Sequence, residues 1–131
     1  MNVLDLNSGL SRRLIDDIRA GDLAFNSEDE SVWGMRHSDG YSSLIRLEPP
    51  YEDYKSVHVF DFGHDLYDLD ISPDGSYLSG AYVDAWGQQY LIRYEIDSLM
   101  AGQVQPDTLW SSDISSPANF VFSPDGRYLY G

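Results

Sequence analysis

The densest group of side chains that could bind a cation is the run His64-Asp65-Leu66-Tyr67-Asp68-Leu69-Asp70. Asp68 and Asp70 are two residues apart, so on a regular β-strand they share one face. With Asp61 or His64 they could offer oxygen and nitrogen ligands to a metal ion. A hydrogen-bonded acidic lining without metal is the simpler interpretation. His64, Asp68 and Asp70 are therefore metal candidates only, and no metal site is expected.

Covalent and phosphate chemistry have little support in the sequence. The chain has three histidines and many serines, but no Gly-x-Ser-x-Gly motif and no glycine-rich phosphate loop. It has no cysteine, which excludes disulfides and thiolate metal sites. We therefore expect no catalytic residue and no cofactor in this chain, and we do not expect it to be an enzyme by itself.

Four aromatic residues are candidates for contacting a partner protein or peptide. They flank or occupy loops that we expect on one side of the molecule: Tyr41, Tyr82, Trp86 and Tyr90. Exposed aromatic side chains often anchor protein interfaces. Packing between neighbouring sheets is the simpler role for such residues, and the sequence leaves both roles open.

An internal repeat must position these residues. Three stretches correspond to one another: Leu23 to Gly34 (LAFNSEDESVWG), Leu69 to Gly80 (LDISPDGSYLSG) and Phe120 to Gly131 (FVFSPDGRYLYG). Their final glycines are 46 and 51 residues apart, and a second pair of segments, LIRLE and LIRYE, is 47 residues apart. Periods of about 40 to 50 residues with four strands each are typical of propeller blades.

Each stretch predicts a β-hairpin with a tight tip. In the second copy, Tyr67, Leu69 and Ile71 alternate with polar residues, which is the strand period. The turn residues are Ser72, Pro73, Asp74 and Gly75, and in the third copy Ser123, Pro124, Asp125 and Gly126. Proline fixes φ at the first central position of a type I turn, and glycine supplies the positive φ that closes the loop. The first copy has no such glycine, so Asp29 is expected at positive φ.

The pattern predicts an all-β fold built from antiparallel four-stranded blades of a partial β-propeller. We expect the second half of a blade in residues 1–16, full blades in 17–64 and 65–115, and the first half of a blade in 116–131. Isolated hairpins and single blades cannot bury both faces. Two hypotheses follow: the chain is a piece of a longer propeller, or two copies complete each other's half blades in a homodimer.

The charge balance limits the partners. Eight Lys and Arg stand against 22 Asp and Glu, which gives a net charge of −14. Such a chain repels phosphates, so nucleic acid is not an expected partner, whereas basic proteins or peptides are. Solvated acidic loops explain the charge as well. Arg46 with Glu48 and Arg93 with Glu95 are predicted to form surface ion pairs.

No apolar run approaches the roughly 18 residues of a transmembrane helix, and the N-terminus lacks the apolar core of a signal peptide.

The repeats SPDGSYLSG and SPDGRYLYG, with the opening VLDLNSGLSRRL, resemble the WD40-like repeats of TolB-type β-propellers. The same family includes the propeller domains of prolyl-oligopeptidase-type peptidases. The resemblance implies a non-catalytic protein-interaction module that belongs to a larger protein of the cell envelope or periplasm. The alternative that it implies is a substrate-gating propeller segment of a serine peptidase whose catalytic domain lies outside these residues.

Overall fold

The computed structural model describes residues 1–131 as twelve strands and one short helix. The strands form four antiparallel sheets of two, four, four and two strands, so the predicted all-β fold is confirmed. The elements are β1 Asn2–Leu4, β2 Ser11–Arg13, β3 Ala20–Phe25, β4 Val32–Ser38, β5 Tyr41–Leu47, β6 Lys55–Val59, β7 Asp65–Ile71, β8 Tyr77–Val83, β9 Gln89–Glu95, α1 Ile96–Met100, β10 Asp107–Ser112, β11 Val121–Phe122 and β12 Leu129–Tyr130. The chain has no helix with the length and apolar character needed to span a membrane.

The two full sheets are simple meanders. Their strand orders are β3-β4-β5-β6 and β7-β8-β9-β10, and each strand pairs with the next one in sequence. Successive connections therefore alternate between the two ends of the sheets. The hairpin tips lie at one end, while the β4–β5, β6–β7 and β8–β9 connections lie at the other.

The SPDG tips fold as local physics dictates. The Ser72 N–H donates to the Tyr77 carbonyl and the Gly75 N–H to the Ser72 carbonyl, both at 2.9 Å. Gly75 and Gly126 both have φ of 71°, the left-handed conformation that glycine adopts without steric cost. In the first copy the positive φ of 59° belongs to Glu30, so the expectation for Asp29 was wrong. The Asp29 carboxylate instead accepts hydrogen bonds from Ser31 and Arg46.

A β-bulge interrupts the inner strand β7. Asp68 has φ of 52°, and the β7–β8 register shifts between Tyr67 and Asp70. The bulge reverses which alternate residues face the core, so Leu66 is fully buried before it and Leu69 is buried after it. The simple alternation that placed Tyr67 with Leu69 was therefore wrong on the N-terminal side of the bulge.

The same feature recurs in each copy of the repeat. Asp22 and Asn119, at the positions equivalent to Asp68, also have positive φ, of 50° and 57°. Asp and Asn tolerate this conformation better than other non-glycine residues. The glycine at the opposite end of each stretch faces the bulge: a Cβ on Gly80 would lie 2.7 Å from Leu66 Cδ1. The repeat thus encodes a bulge and the space that it needs.

The main core is a layer between the two full sheets. It joins Trp33, Met35 and Leu44 of the first sheet to Leu66 and Leu78 of the second, and all five side chains are fully buried. Ile45 and Leu47 point the other way and pack with Ile18 on the side of β1 and β2. Alternate residues of one strand therefore serve two different layers, as expected for stacked blades.

Of the two predicted surface ion pairs, Arg46–Glu48 forms but is not a surface pair, and Arg93–Glu95 is replaced by another pair. Arg46 is only 9% exposed, it bonds both Glu48 and Asp29, and its guanidinium lies 5.9 Å from the centre of the Trp33 ring. It is therefore a buried link between β5 and the first tip. Arg93 pairs with Asp107 of the neighbouring strand at 3.0 Å, instead of with Glu95.

Candidate functional site

The end of the sheets opposite the hairpin tips carries a cluster of exposed aromatic residues. Three connections form it, residues 38–41, 60–65 and 84–88, and we call this surface the aromatic face. Its large exposed side chains are Tyr41, Phe62 and Trp86, which are 46%, 66% and 87% exposed. Side chains of this size at such exposure on one surface are a common mark of an interaction site.

Tyr41 and Phe62 form one part of the aromatic face. Their rings meet edge to face with centroids 5.6 Å apart, a favourable aromatic geometry. Phe62 lies over Gly40, where an added Cβ would be 2.7 Å from its ring. The glycine therefore lets the ring lie against the β4–β5 turn.

Trp86 forms the other part of the aromatic face. Its loop is fixed by Asp84, whose Oδ1 accepts hydrogen bonds from the backbone N–H of Trp86 and of Gln88, each at 2.9 Å. The Trp86 ring lies nearly perpendicular to that of His64, with centroids 6.3 Å apart. The ring is thus held on an ordered turn while most of its surface faces solvent.

A column of aromatic rings connects this surface to the core. His64 Nδ1 and the Tyr82 hydroxyl share a hydrogen bond, and the Tyr82 ring lies 5.8 Å from Tyr90 and 6.0 Å from the buried Phe60. Tyr82 and Tyr90 are partly buried against the main core. Burial, followed by the Asp84 and Asp61 carboxylates, raises the pKa of Tyr82 above its ordinary value.

The structure therefore separates the four aromatic candidates. Tyr82 and Tyr90 pack between the sheets, whereas Tyr41 and Trp86 remain exposed. Phe62 and His64 are the members of the aromatic face that sequence reasoning did not assign to it. The only sequence signals were the Gly63 between them and their place in a loop that follows a strand.

The aromatic face is acidic. Residues 38–41, 60–65 and 84–88 contain Asp39, Asp61, Asp65 and Asp84 but no lysine or arginine. Asp65 lies 3.1 Å from His37 Nε2, which joins the end of β4 to the start of β7. This surface thus combines negative charge with exposed aromatic rings.

The three metal candidates serve other contacts in the structure. Asp68 accepts the backbone N–H of Asn119 at 3.0 Å, and Asp70 accepts that of Phe122 at 2.7 Å. His64 is bonded to Tyr82. No group of three or more His, Asp or Glu side chains is arranged to hold a metal ion. Asp68 and Asp70 instead attach the segment from Asn119 to Phe122, which leads into β11, to β7.

The turn aspartates have equivalent surroundings. Asp74 accepts hydrogen bonds from Ser72 Oγ and the Ser76 N–H, and Asp125 accepts them from Ser123 Oγ and the Arg127 N–H. The hydrogen bonds of Asp74 with Ser76 and Ser72 lower its pKa to about 2. Both carboxylates are thus engaged within their own turns.

Comparison with solved structures shows that the fold is that of β-propellers. TolB from Acinetobacter baumannii matches 98% of this chain with a TM-score of 0.71 and 19% identity, and the chain covers 30% of that protein. An oligogalacturonate lyase in complex with manganese matches 98%, with a TM-score of 0.62, 12% identity and 44% of its own chain covered. A prolyl endopeptidase matches 85%, with a TM-score of 0.52, 17% identity and 18% of its chain covered.

At the level of the fold, the resemblance to TolB-type propellers is confirmed, and the sheets are blades of a partial propeller. No protein-family model and no curated protein matches the sequence. The chain spans less than half the length of each of these three similar structures. At these identities the likeness extends to the fold and not to activity.

Proposed function

We propose that the chain is part of a non-catalytic, TolB-like protein-interaction module and that a partner protein or peptide docks on the aromatic face. The observation that carries the proposal is Trp86, which is 87% exposed on a turn fixed by Asp84. A large aromatic side chain on an ordered support loses little conformational freedom on binding, which favours its use as an anchor. Tyr41 and Phe62 extend the same surface.

Panning of a displayed random-peptide library against the chain tests this proposal. Peptides selected on the unsubstituted chain should bind the Tyr41→Ala and Trp86→Ala variants at least about tenfold more weakly. Tyr128→Ala is the matched control, because Tyr128 is 55% exposed at the opposite end of the sheets. Selected peptides that bind all variants equally would contradict a role for the aromatic face.

The substrate-gating segment of a prolyl-oligopeptidase-type peptidase is the second candidate function. Its support is the likeness to a prolyl endopeptidase, although the TM-score of 0.52 is lower than that for TolB. Reading the gene on both sides of these codons distinguishes the two. An encoded α/β-hydrolase domain would favour the peptidase, and its absence, together with an export signal, would favour the cell-envelope module.

Self-association is a separate hypothesis about partners. The two-stranded sheets β1-β2 and β11-β12 leave Val3 and Val121 40% and 55% exposed, and a second copy could pair with these sheets. Light scattering should then give twice the mass of the chain. A monomer at a concentration where the aromatic face binds peptide would exclude the homodimer.

A further inference from the structure

We propose that the aromatic face selects a cationic peptide segment, whose arginine or lysine side chain stacks on Trp86 between the aspartates of the face. This inference rests on the proposed function and adds the chemistry of the partner. It depends on three features of the described residues: charge, ring exposure and the short distance between the two aromatic groups.

The first feature is the sign of the charge. The aromatic face contains four aspartates and no lysine or arginine, within a chain of net charge −14. Asp39 and Asp61 are exposed in turns, and neither carboxylate forms an ion pair with a basic side chain. Charge complementarity therefore favours a basic segment and opposes an acidic one.

The second feature is the exposed ring itself. The face of an indole is the best aromatic partner for a cation, and a guanidinium can stack on it while donating hydrogen bonds to nearby carboxylates. His64 meets Trp86 nearly at a right angle, 83° between ring planes, so it does not stack over the indole. Trp86 is thus available to a flat cation from solvent.

The third feature is the distance between the two parts of the aromatic face. Phe62, which pairs with Tyr41, and His64, which supports Trp86, are separated by one residue. Their Cα atoms are therefore at most about 7 Å apart. An extended segment of a few residues can reach both parts, placing a cation on Trp86 and an apolar side chain on Tyr41 and Phe62.

The test uses a peptide of alternating arginine and leucine and the same peptide with citrulline in place of each arginine. Citrulline keeps the shape of the side chain and removes its charge. We expect the arginine peptide to bind at least about tenfold more tightly at physiological ionic strength, where long-range attraction is screened. The indole N–H signal of Trp86 should shift on titration, whereas that of the buried Trp33 should not.

Charge variants locate the contact. Asp39→Asn with Asp61→Asn should weaken the arginine peptide by about fivefold, since each exposed ion pair contributes about 0.2 to 1 kcal/mol. The matched control is Glu28→Gln with Glu52→Gln, which removes the same charge at the end of the sheets that carries the hairpin tips. This double variant should leave the affinity for the arginine peptide nearly unchanged. Equal loss in both double variants, or no Trp86 shift, would mean diffuse attraction and overturn the inference.

The outcomes separate this inference from the proposed function. If the citrulline peptide binds as tightly and shifts the Trp86 signal, the face binds peptides without selecting cations, and only the inference fails. If neither these peptides nor any library peptide depends on Trp86, the proposed function fails as well.

Discussion

Gly80 is the residue at which the repeat leaves space for the bulge in β7, and Gly80→Ala tests that geometry directly. The added Cβ would lie 2.7 Å from Leu66 Cδ1 and 3.1 Å from Leu69 Cδ2. Ordinary contacts begin at 3.4 Å, so Leu66 must move by about 0.7 Å, the difference between 3.4 and 2.7 Å. Leu66 is fully buried and Leu69 is 9% exposed, so either side chain would move against close-packed protein atoms and not into solvent.

Two opposing effects set the magnitude. Overpacking of a buried site costs about 1 to 3 kcal/mol, and alanine recovers about 0.5 to 1 kcal/mol because it loses less backbone entropy than glycine on folding. Overpacking dominates, and Gly80→Ala should lower the free energy of unfolding by about 1 to 2 kcal/mol. For a chain of this size the Tm should fall by roughly 4 to 10 °C.

Urea and thermal unfolding followed by circular dichroism provide the assay. The matched control is Gly21→Ala, in β3, where φ is not positive and an added Cβ would have no atom within 4 Å. That variant should be unchanged or more stable by about 0.5 to 1 kcal/mol. If Gly80→Ala proves as stable as Gly21→Ala, then Leu66 does not occupy the space over Gly80 and the bulge is placed wrongly.

Three further predictions concern single polar groups. Asp70→Ala removes the acceptor of the Phe122 N–H and should increase hydrogen exchange at that amide more than tenfold, since a bond to a charged group contributes about 1.5 to 3 kcal/mol. Ser79→Ala should be neutral or stabilising in urea unfolding, because the buried Ser79 Oγ has no hydrogen-bond partner. The pKa of Asp74 in the folded state is about 2, below its ordinary value of 3.8. The stabilisation of the tip by Asp74 should therefore be present above pH 3.8 and be lost as the pH falls through about 2. The stability of Asp74→Asn, measured over the same acid range, should lack this loss.

Local rules were sufficient for the hairpin tips. Pro73, Asp74 and Gly75 each have one favourable place in a type I turn closed by a left-handed residue, and neighbouring strands are not needed to assign it. These features depend on a few consecutive residues, which is why they could be predicted.

The bulge could not be predicted from alternation alone. The left-handed backbone conformation of Asp68 leaves the pattern of apolar and polar residues unchanged. It nevertheless reverses which side of the sheet each preceding residue of the strand faces. Alignment of the three copies contains the missing signal: Asp22, Asp68 and Asn119 stand at one position, and all three are residues that tolerate positive φ. The repeat itself therefore carries this information, whereas any one strand does not.

Contacts between sheets were the other limit. The sequence of β5 alone predicts that Arg46 is exposed. Its burial comes from Trp33 and from the tip that contains Asp29, which the sequence of β5 does not include. The exposure of Trp86 and the partial burial of Tyr82 likewise depend on the neighbouring sheet and its loops. A strand pattern specifies the two faces of a blade, but the depth of burial on each face is set by what packs there.

The bulge and the aromatic face are physically connected through the first half of β7. Because the bulge reverses the strand's facing, Leu66 points into the core opposite Tyr82, and His64, two residues earlier, meets the Tyr82 hydroxyl. Without the bulge, either Leu66 would leave the core or the pairing with β8 would slip by one residue, and His64 would lose its contacts with Tyr82 and Trp86. We therefore expect Gly80→Ala to disturb the contact of His64 with Trp86 as well as to lower the stability of the blade, while Asp84 still holds the Trp86 turn.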